Sequence, residues 1–125
     1  DARRFQIIAL GYDPYSATQM AQNLQKAGIN VVEVPQRVQQ LSEPMKELEA
    51  IILDGRLVHD GNPCTAWQFS NVTAKVDAND NVFPRKEQPE SKIDAFVATV
   101  IAKRVSMIPA VSTQSVYETR GIRVL

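Results

Sequence analysis

Apolar positions come in blocks whose spacing changes along the chain, and each spacing predicts an element. The run Phe5-Gln6-Ile7-Ile8-Ala9-Leu10-Gly11 is almost continuous and stops at Tyr12-Asp13-Pro14. A proline disfavours helical backbone at the residue before it, so the run predicts a buried strand whose carboxyl end is Asp13. Ala17, Met20, Ala21 and Leu24 then recur at i, i+3, i+4 and i+7 before Gly28. That is the period of an amphipathic helix, with Ser16 and Gln19 spaced as a capping box at its start and glycine as its stop. Ile29-Asn30-Val31-Val32-Glu33-Val34 is short and rich in β-branched residues and predicts a second strand. Strand, helix, strand in this order demands a parallel pair, and the expected fold class is α/β.

Further along, Ser42 is placed to cap a helix with Pro44 in its first turn, an apolar stripe of Met45, Leu48, Ile51 and Ile52, and Gly55 as a stop. His59-Asp60-Gly61-Asn62-Pro63 is turn chemistry leading into a short helix around Ala66-Trp67-Gln68-Phe69. Asn71 to Val76 alternates and returns through Asp77-Ala78-Asn79-Asp80-Asn81 into Val82-Phe83, a β-hairpin. Pro84 to Glu90 reads as a polar loop. Ile93, Phe96, Val97, Val100 and Ile101 mark a strongly apolar helix face ending near Arg104. Residues 1–104 therefore make the expected domain, and 105–125, with two short strand-like pieces and no core of their own, a tail.

Composition narrows this picture. A chain of 125 residues with 44% hydrophobic content is the size of one domain and can bury a core. Fourteen basic and fourteen acidic side chains cancel, so a nucleic-acid-binding role needs a local basic patch rather than overall charge. Cys64 is the sole cysteine, which excludes an internal disulfide, fits a reducing cytosol and predicts a small buried residue rather than a nucleophile. No apolar run approaches the roughly 18 residues of a membrane span, and no signal-peptide pattern opens the chain; a soluble, cytoplasmic protein without membrane contact is expected. The first residue is Asp1 and a strand-like run follows at once, so the segment reads as part of a longer protein. No Walker-type phosphate loop is present.

The candidate chemistry is carboxylate chemistry. Asp13 stands just past the carboxyl end of a strand, where ligands bind in open α/β sheets, and Asp before Pro is also an ordinary turn element. Asp94 completes a Ser91-x-x-Asp94 capping pattern, or projects from the first turn of a helix towards Asp13 to share a divalent metal. In-line displacement at a phosphodiester is served by two divalent ions about 4 Å apart, and carboxylates are the hard-oxygen ligands for Mg²⁺ or Mn²⁺. A third carboxylate is expected, and none of the remaining acids has a clear position for it. His59 lacks a His or Cys at ligand spacing and reads as a polar loop residue; Asn62 and Asn71 are phosphate contacts or turn devices; Trp67 is expected in the core. Arg85, Lys86, Lys92, Lys103 and Arg104 supply five cations against Glu87, Glu90 and Asp94 between positions 84 and 104, a modest basic bias for a phosphate-contacting surface.

Ordered motifs then carry a family resemblance. Tyr12-Asp13-Pro14-Tyr15-x-Ala17, Gln36, Leu41-Ser42-x-Pro44-Met45-Lys46-x-Leu48-Glu49, Gly55-Arg56-Leu57-x-His59-Asp60-Gly61-Asn62-Pro63 with Trp67 and Asn71, and Ser91-Lys92-Ile93-Asp94 with Ala98 follow one another across roughly residues 5 to 104. In this order they resemble the nuclease half of phage large terminase subunits, and Ser115-Val116-Tyr117-Glu118-x-Arg120-Gly121 is similar to its close. The resemblance implies a ribonuclease H-like mixed sheet with flanking helices, incomplete at the N-terminus, and a two-metal endonuclease that cuts double-stranded phage DNA during genome packaging in the bacterial host. Asp13 matches the second acidic position and Asp94 the last, while the first has no counterpart here. Mg²⁺ or Mn²⁺ is the implied cofactor, with Asp13 and Asp94 as metal ligands and catalytic residues. Lys92, Arg85 and Lys86 are the expected DNA contacts, and double-stranded DNA, a small terminase subunit and the portal the implied partners. Two other readings compete: a non-catalytic prophage-derived module that docks on DNA, portal or capsid, and a receiver-type domain phosphorylated at Asp13, for which the acidic cluster and a partner lysine are missing.

Overall fold

The computed structural model describes residues 4–109. Strand β1 (Leu10–Tyr12), helix α1 (Thr18–Lys26) and strand β2 (Val31–Glu33) form the expected strand-helix-strand unit, and the two strands pair in parallel with Leu10 opposite Val31 and Tyr12 opposite Glu33. Both strands are shorter than the apolar runs that predict them. Phe5, Ile7 and Ile8 precede the paired segment and are exposed, because strand pairing begins only at Leu10, where the backbone N–H donates to the Asn30 carbonyl.

Helix α2 (Val38–Leu53) starts four residues before Ser42, the expected cap. Leu41, Met45 and Leu48 set its buried stripe at i, i+4 and i+7 and carry the helix through Pro44, whose missing N–H removes the helical donor to the Gln40 carbonyl. Ser42 is buried mid-helix, and its Oγ accepts from the Val82 N–H at 3.0 Å; a partner forty positions away overrides the local capping signal. Gly55, at φ +67°, ends the helix as expected.

Helix α3 (Pro63–Ser70) is capped by Asn62, which accepts from the N–H groups of Cys64 and Thr65, with Pro63 opening the first turn. Strands β3 (Val72–Val76) and β4 (Val82–Lys86) form the antiparallel hairpin, with Val76 opposite Val82 and Val72 opposite Lys86. Pro84 to Lys86 are strand rather than loop; Pro84 is buried, and packing against α2 holds the strand together despite the absent N–H. The turn is organised by Asp77, whose Oδ1 accepts from the N–H groups of Asn79 and Asn81 and whose Oδ2 accepts from the Asn81 side chain. These bonds, the Asn81 side chain first, hold the Asp77 carboxyl below its ordinary value.

Helix α4 (Asp94–Ser106) closes the described chain. Its face of Phe96, Val100, Ile101 and Val105 packs with Val34, Leu41, Met45 and Leu48 as the core. Phe69 of α3 meets Phe96 edge to face, at 5.1 Å between ring centroids. Parallel and antiparallel pairing thus both occur, in two separate two-stranded sheets among the described residues, with helices around them. The closing motif at 115–121 lies outside the described residues.

Asn71 joins these parts. It is 9% exposed; its side-chain amide donates to the Lys92 carbonyl at 3.0 Å, and its own carbonyl accepts from the Glu87 N–H at 2.9 Å. It is a structural residue rather than a phosphate contact. Asn71→Ala leaves a part-buried carbonyl without its donor and is expected to cost about 1–3 kcal/mol, read as a lower denaturation midpoint at unchanged slope; an unaltered midpoint contradicts this role.

Candidate functional site

Asp13 follows β1 directly and is half-buried. Its Oδ1 accepts from the Tyr15 N–H at 3.2 Å, the turn geometry that Asp-Pro spacing favours, and its Oδ2 accepts from the Gln36 side-chain amide at 2.6 Å. Gln36 lies between β2 and α2, twenty-three positions away, so the parallel pairing of β1 with β2 brings the two together. The carboxylate is oriented by two donors, and no Lys or Arg pairs with it: among the described residues the ion pair present is Arg56 with Asp54.

Asp94 is the first residue of α4 and is exposed. The expected capping role is not realised: Ile93 occupies the cap position and makes no side-chain cap bond. The freed Ala95 N–H is taken instead by the Gln68 side chain at 2.7 Å, so α3 supplies from a distance the acceptor that Ser91 and Asp94 are spaced to provide locally. The Ser16 and Gln19 box fails likewise; Ala17 is the cap, with no side-chain bond, and Ser16 sits at φ +58°.

The hydrogen bonds of Asp13 go to Tyr15 and Gln36, while Asp94 stands at the start of α4. Gln36, which holds Asp13, precedes α2, whose Gln40 accepts from Arg104 at 3.3 Å. Asp94 opens the same helix beside Gln68 of α3. Gly11, two residues before Asp13, lies against Ile101 and Val105. No group of three or more His, Cys, Asp or Glu side chains converges among the described residues, so no three-carboxylate cluster forms around the aspartates there.

The expected basic surface separates. Arg85 and Lys86 are neighbours on β4 and point to opposite faces of the hairpin; Arg85 lines a groove with Gln36, Arg37, Val38, Lys75, Asp77 and Phe83, which Lys86 does not reach. Lys92 is exposed beside the Asn71 clasp, and Arg104 is engaged with Gln40. His59 accepts from the Gly61 N–H within its own turn. Two core expectations are corrected: Cys64 is exposed in the first turn of α3, and Trp67 is 50% exposed, because α3 packs through Phe69 and leaves both residues on its outer side.

The family model of the terminase large subunit, endonuclease domain, matches residues 2–108. The chain belongs to that family. Protein YmfN of Escherichia coli (strain K12) is 44% identical over 98 residues, covering 77% of this chain and 22% of that protein. Among solved structures, the crystal structure of the HK97 bacteriophage large terminase superposes with a TM-score of 0.67 at 22% identity, over 78% of this chain and 21% of that one. At that identity the likeness is one of fold, and the fold is the ribonuclease H-like arrangement of terminase nucleases. The chain spans about a fifth of the length of these two relatives. No helix of this terminase segment, among the described residues, is long and apolar enough to cross a membrane.

Proposed function

We propose that this segment forms part of a metal-dependent endonuclease that cuts double-stranded DNA during phage genome packaging, with Asp13 and Asp94 as metal ligands. The observation that carries the reading is the Asp13 carboxylate, half-buried at a strand end, oriented by Gln36 and Tyr15 and left without a cationic partner among the described residues. Such an arrangement preserves negative charge and lone pairs for a hard divalent cation. The donor set fits Mg²⁺ or Mn²⁺ in kind and is short by at least one carboxylate in number.

A divalent pair held by these carboxylates would supply an activated water and stabilisation of the departing oxygen of a phosphodiester. Within this chain Asp13 contributes a fixed carboxylate, Gln36 limits its rotation, and Asp94 adds a solvent-facing carboxylate at a helix start. Arg85, Lys86 and Lys92 are the proposed DNA contacts, on different faces as described, and the small terminase subunit and the portal are the proposed packaging partners.

Crystals of a complete large subunit carrying this segment, soaked in Mn²⁺, are expected to show anomalous density against the Asp13 carboxylate and shared with Asp94. Density that avoids both aspartates overturns the assignment and leaves the non-catalytic docking reading in its place.

A further inference from the structure

The neutral overall charge of the chain hides a local segregation. Three cations, Arg37, Lys75 and Arg85, line one groove of about 430 Å³ between the start of α2 and the β3–β4 hairpin. We propose that this groove seats the phosphodiester backbone of duplex DNA, with Arg37 on one wall and Lys75 and Arg85 on the other. The inference rests on the nuclease reading above for the identity of the polyanion, and on separate residues for its location.

The register places the hairpin cations. Lys75 is opposite Phe83 and Arg85 is opposite Thr73, so Lys75 and Arg85 form a diagonal pair on one face, with a separation of roughly 7–8 Å between such positions. Each DNA strand carries a charge about every 3.4 Å of helix axis, and a diagonal of this length spans about two phosphates of one strand. All three side chains are exposed, and none pairs with a carboxylate among the described residues. Asp77, the acid in the groove, keeps its charge, but its oxygens are engaged by the Asn79 and Asn81 amides of the turn and form no ion pair with the groove cations, so three cations face one carboxylate there. Gln36 gives the groove its direction, for it lines the same wall as Arg37 and donates to Asp13 at 2.6 Å. A backbone lying there passes beside the carboxylate proposed to hold metal.

The test is duplex binding by the complete protein in EDTA, measured by anisotropy of a labelled DNA duplex across a salt series, so that metal and cleavage do not enter. Arg37→Ala, Lys75→Ala and Arg85→Ala are each expected to weaken binding and to lower the salt slope by about 0.9. Lys75→Arg is expected to retain the slope, and Lys26→Ala, in the last turn of α1, to leave binding unchanged. An unaltered slope in the triple alanine variant, a loss of equal size from Lys26→Ala, or no duplex binding by the parent protein overturns the proposal. The two readings fail separately: an unaltered slope together with Asp13-dependent cleavage removes the groove and spares the nuclease, whereas a lowered slope with cleavage indifferent to Asp13 does the reverse.

Discussion

Gly11→Ala is expected to destabilise the domain by about 1–3 kcal/mol, the usual cost of overpacking, lowering Tm by roughly 4–8 °C for each kcal/mol. A Cβ at position 11 would lie 2.6 Å from Ile101 Cγ2 and 2.7 Å from Val105 Cγ2. Both are branches at Cβ of residues in helix α4, where χ1 is largely confined to one rotamer, so neither methyl can swing aside cheaply. The opposing effect, the reduced freedom of the unfolded chain when alanine replaces glycine, favours the variant by only about 0.4–1 kcal/mol. Steric overlap therefore decides the sign. A double-mutant cycle with Val105→Ala should reveal coupling between the two positions. A Gly11→Ala protein that melts at or above the parent temperature would refute the close approach of β1 to α4, and with it the placement of Asp13 relative to that helix.

Asp13→Asn and Asp94→Asn are each expected to reduce metal-dependent DNA cleavage by a complete large subunit carrying this segment by more than about a hundredfold. The figure follows from comparison: residues that merely orient a metal ligand typically change affinity or activity 10–100-fold, and loss of a ligand charge should exceed them. In Asp13→Asn the single amide oxygen can keep the bond from Gln36, at the loss of the exposed turn bond from the Tyr15 N–H, so folding should hold while the charge is lost. Glu43→Gln, an exposed change on α2, should leave the rate unaltered. Full cleavage by either aspartate variant, with the metal still required, would remove that residue from the mechanism.

Elements with a strong period were legible in the sequence. Helices α1 and α4 and the β3–β4 hairpin follow from apolar spacing and turn residues, and Asn62-Pro63 marks the start of α3 correctly. The Ser/Thr caps and capping boxes were not, because a capping box is local and its competitors are not: Ser42 is claimed by Val82, and the Ala95 N–H by Gln68. Trp67 and Cys64 read as core from residue type, yet a short helix that packs through one aromatic ring leaves its other side to solvent.

The site was partly legible. Asp13 stands out by its position after a strand, but its orienting bond to Gln36 depends on the register of the β1–β2 pair, which no spacing rule reveals. The cations between 84 and 104 form a run in the sequence, and strand alternation divides Arg85 from Lys86 within it. The groove cations Arg37, Lys75 and Arg85 are dispersed along the chain and meet only through packing of α2 beside the hairpin.

The clasp at Asn71 has a consequence for how the polypeptide between the hairpin and the last helix tolerates change. One residue fastens both ends of that connection, through the Glu87 N–H and the Lys92 carbonyl, much as a drawstring closes the neck of a bag. Extra residues added between those two points would bulge into solvent at small entropic cost, while the helix bearing Asp94 would keep its starting position.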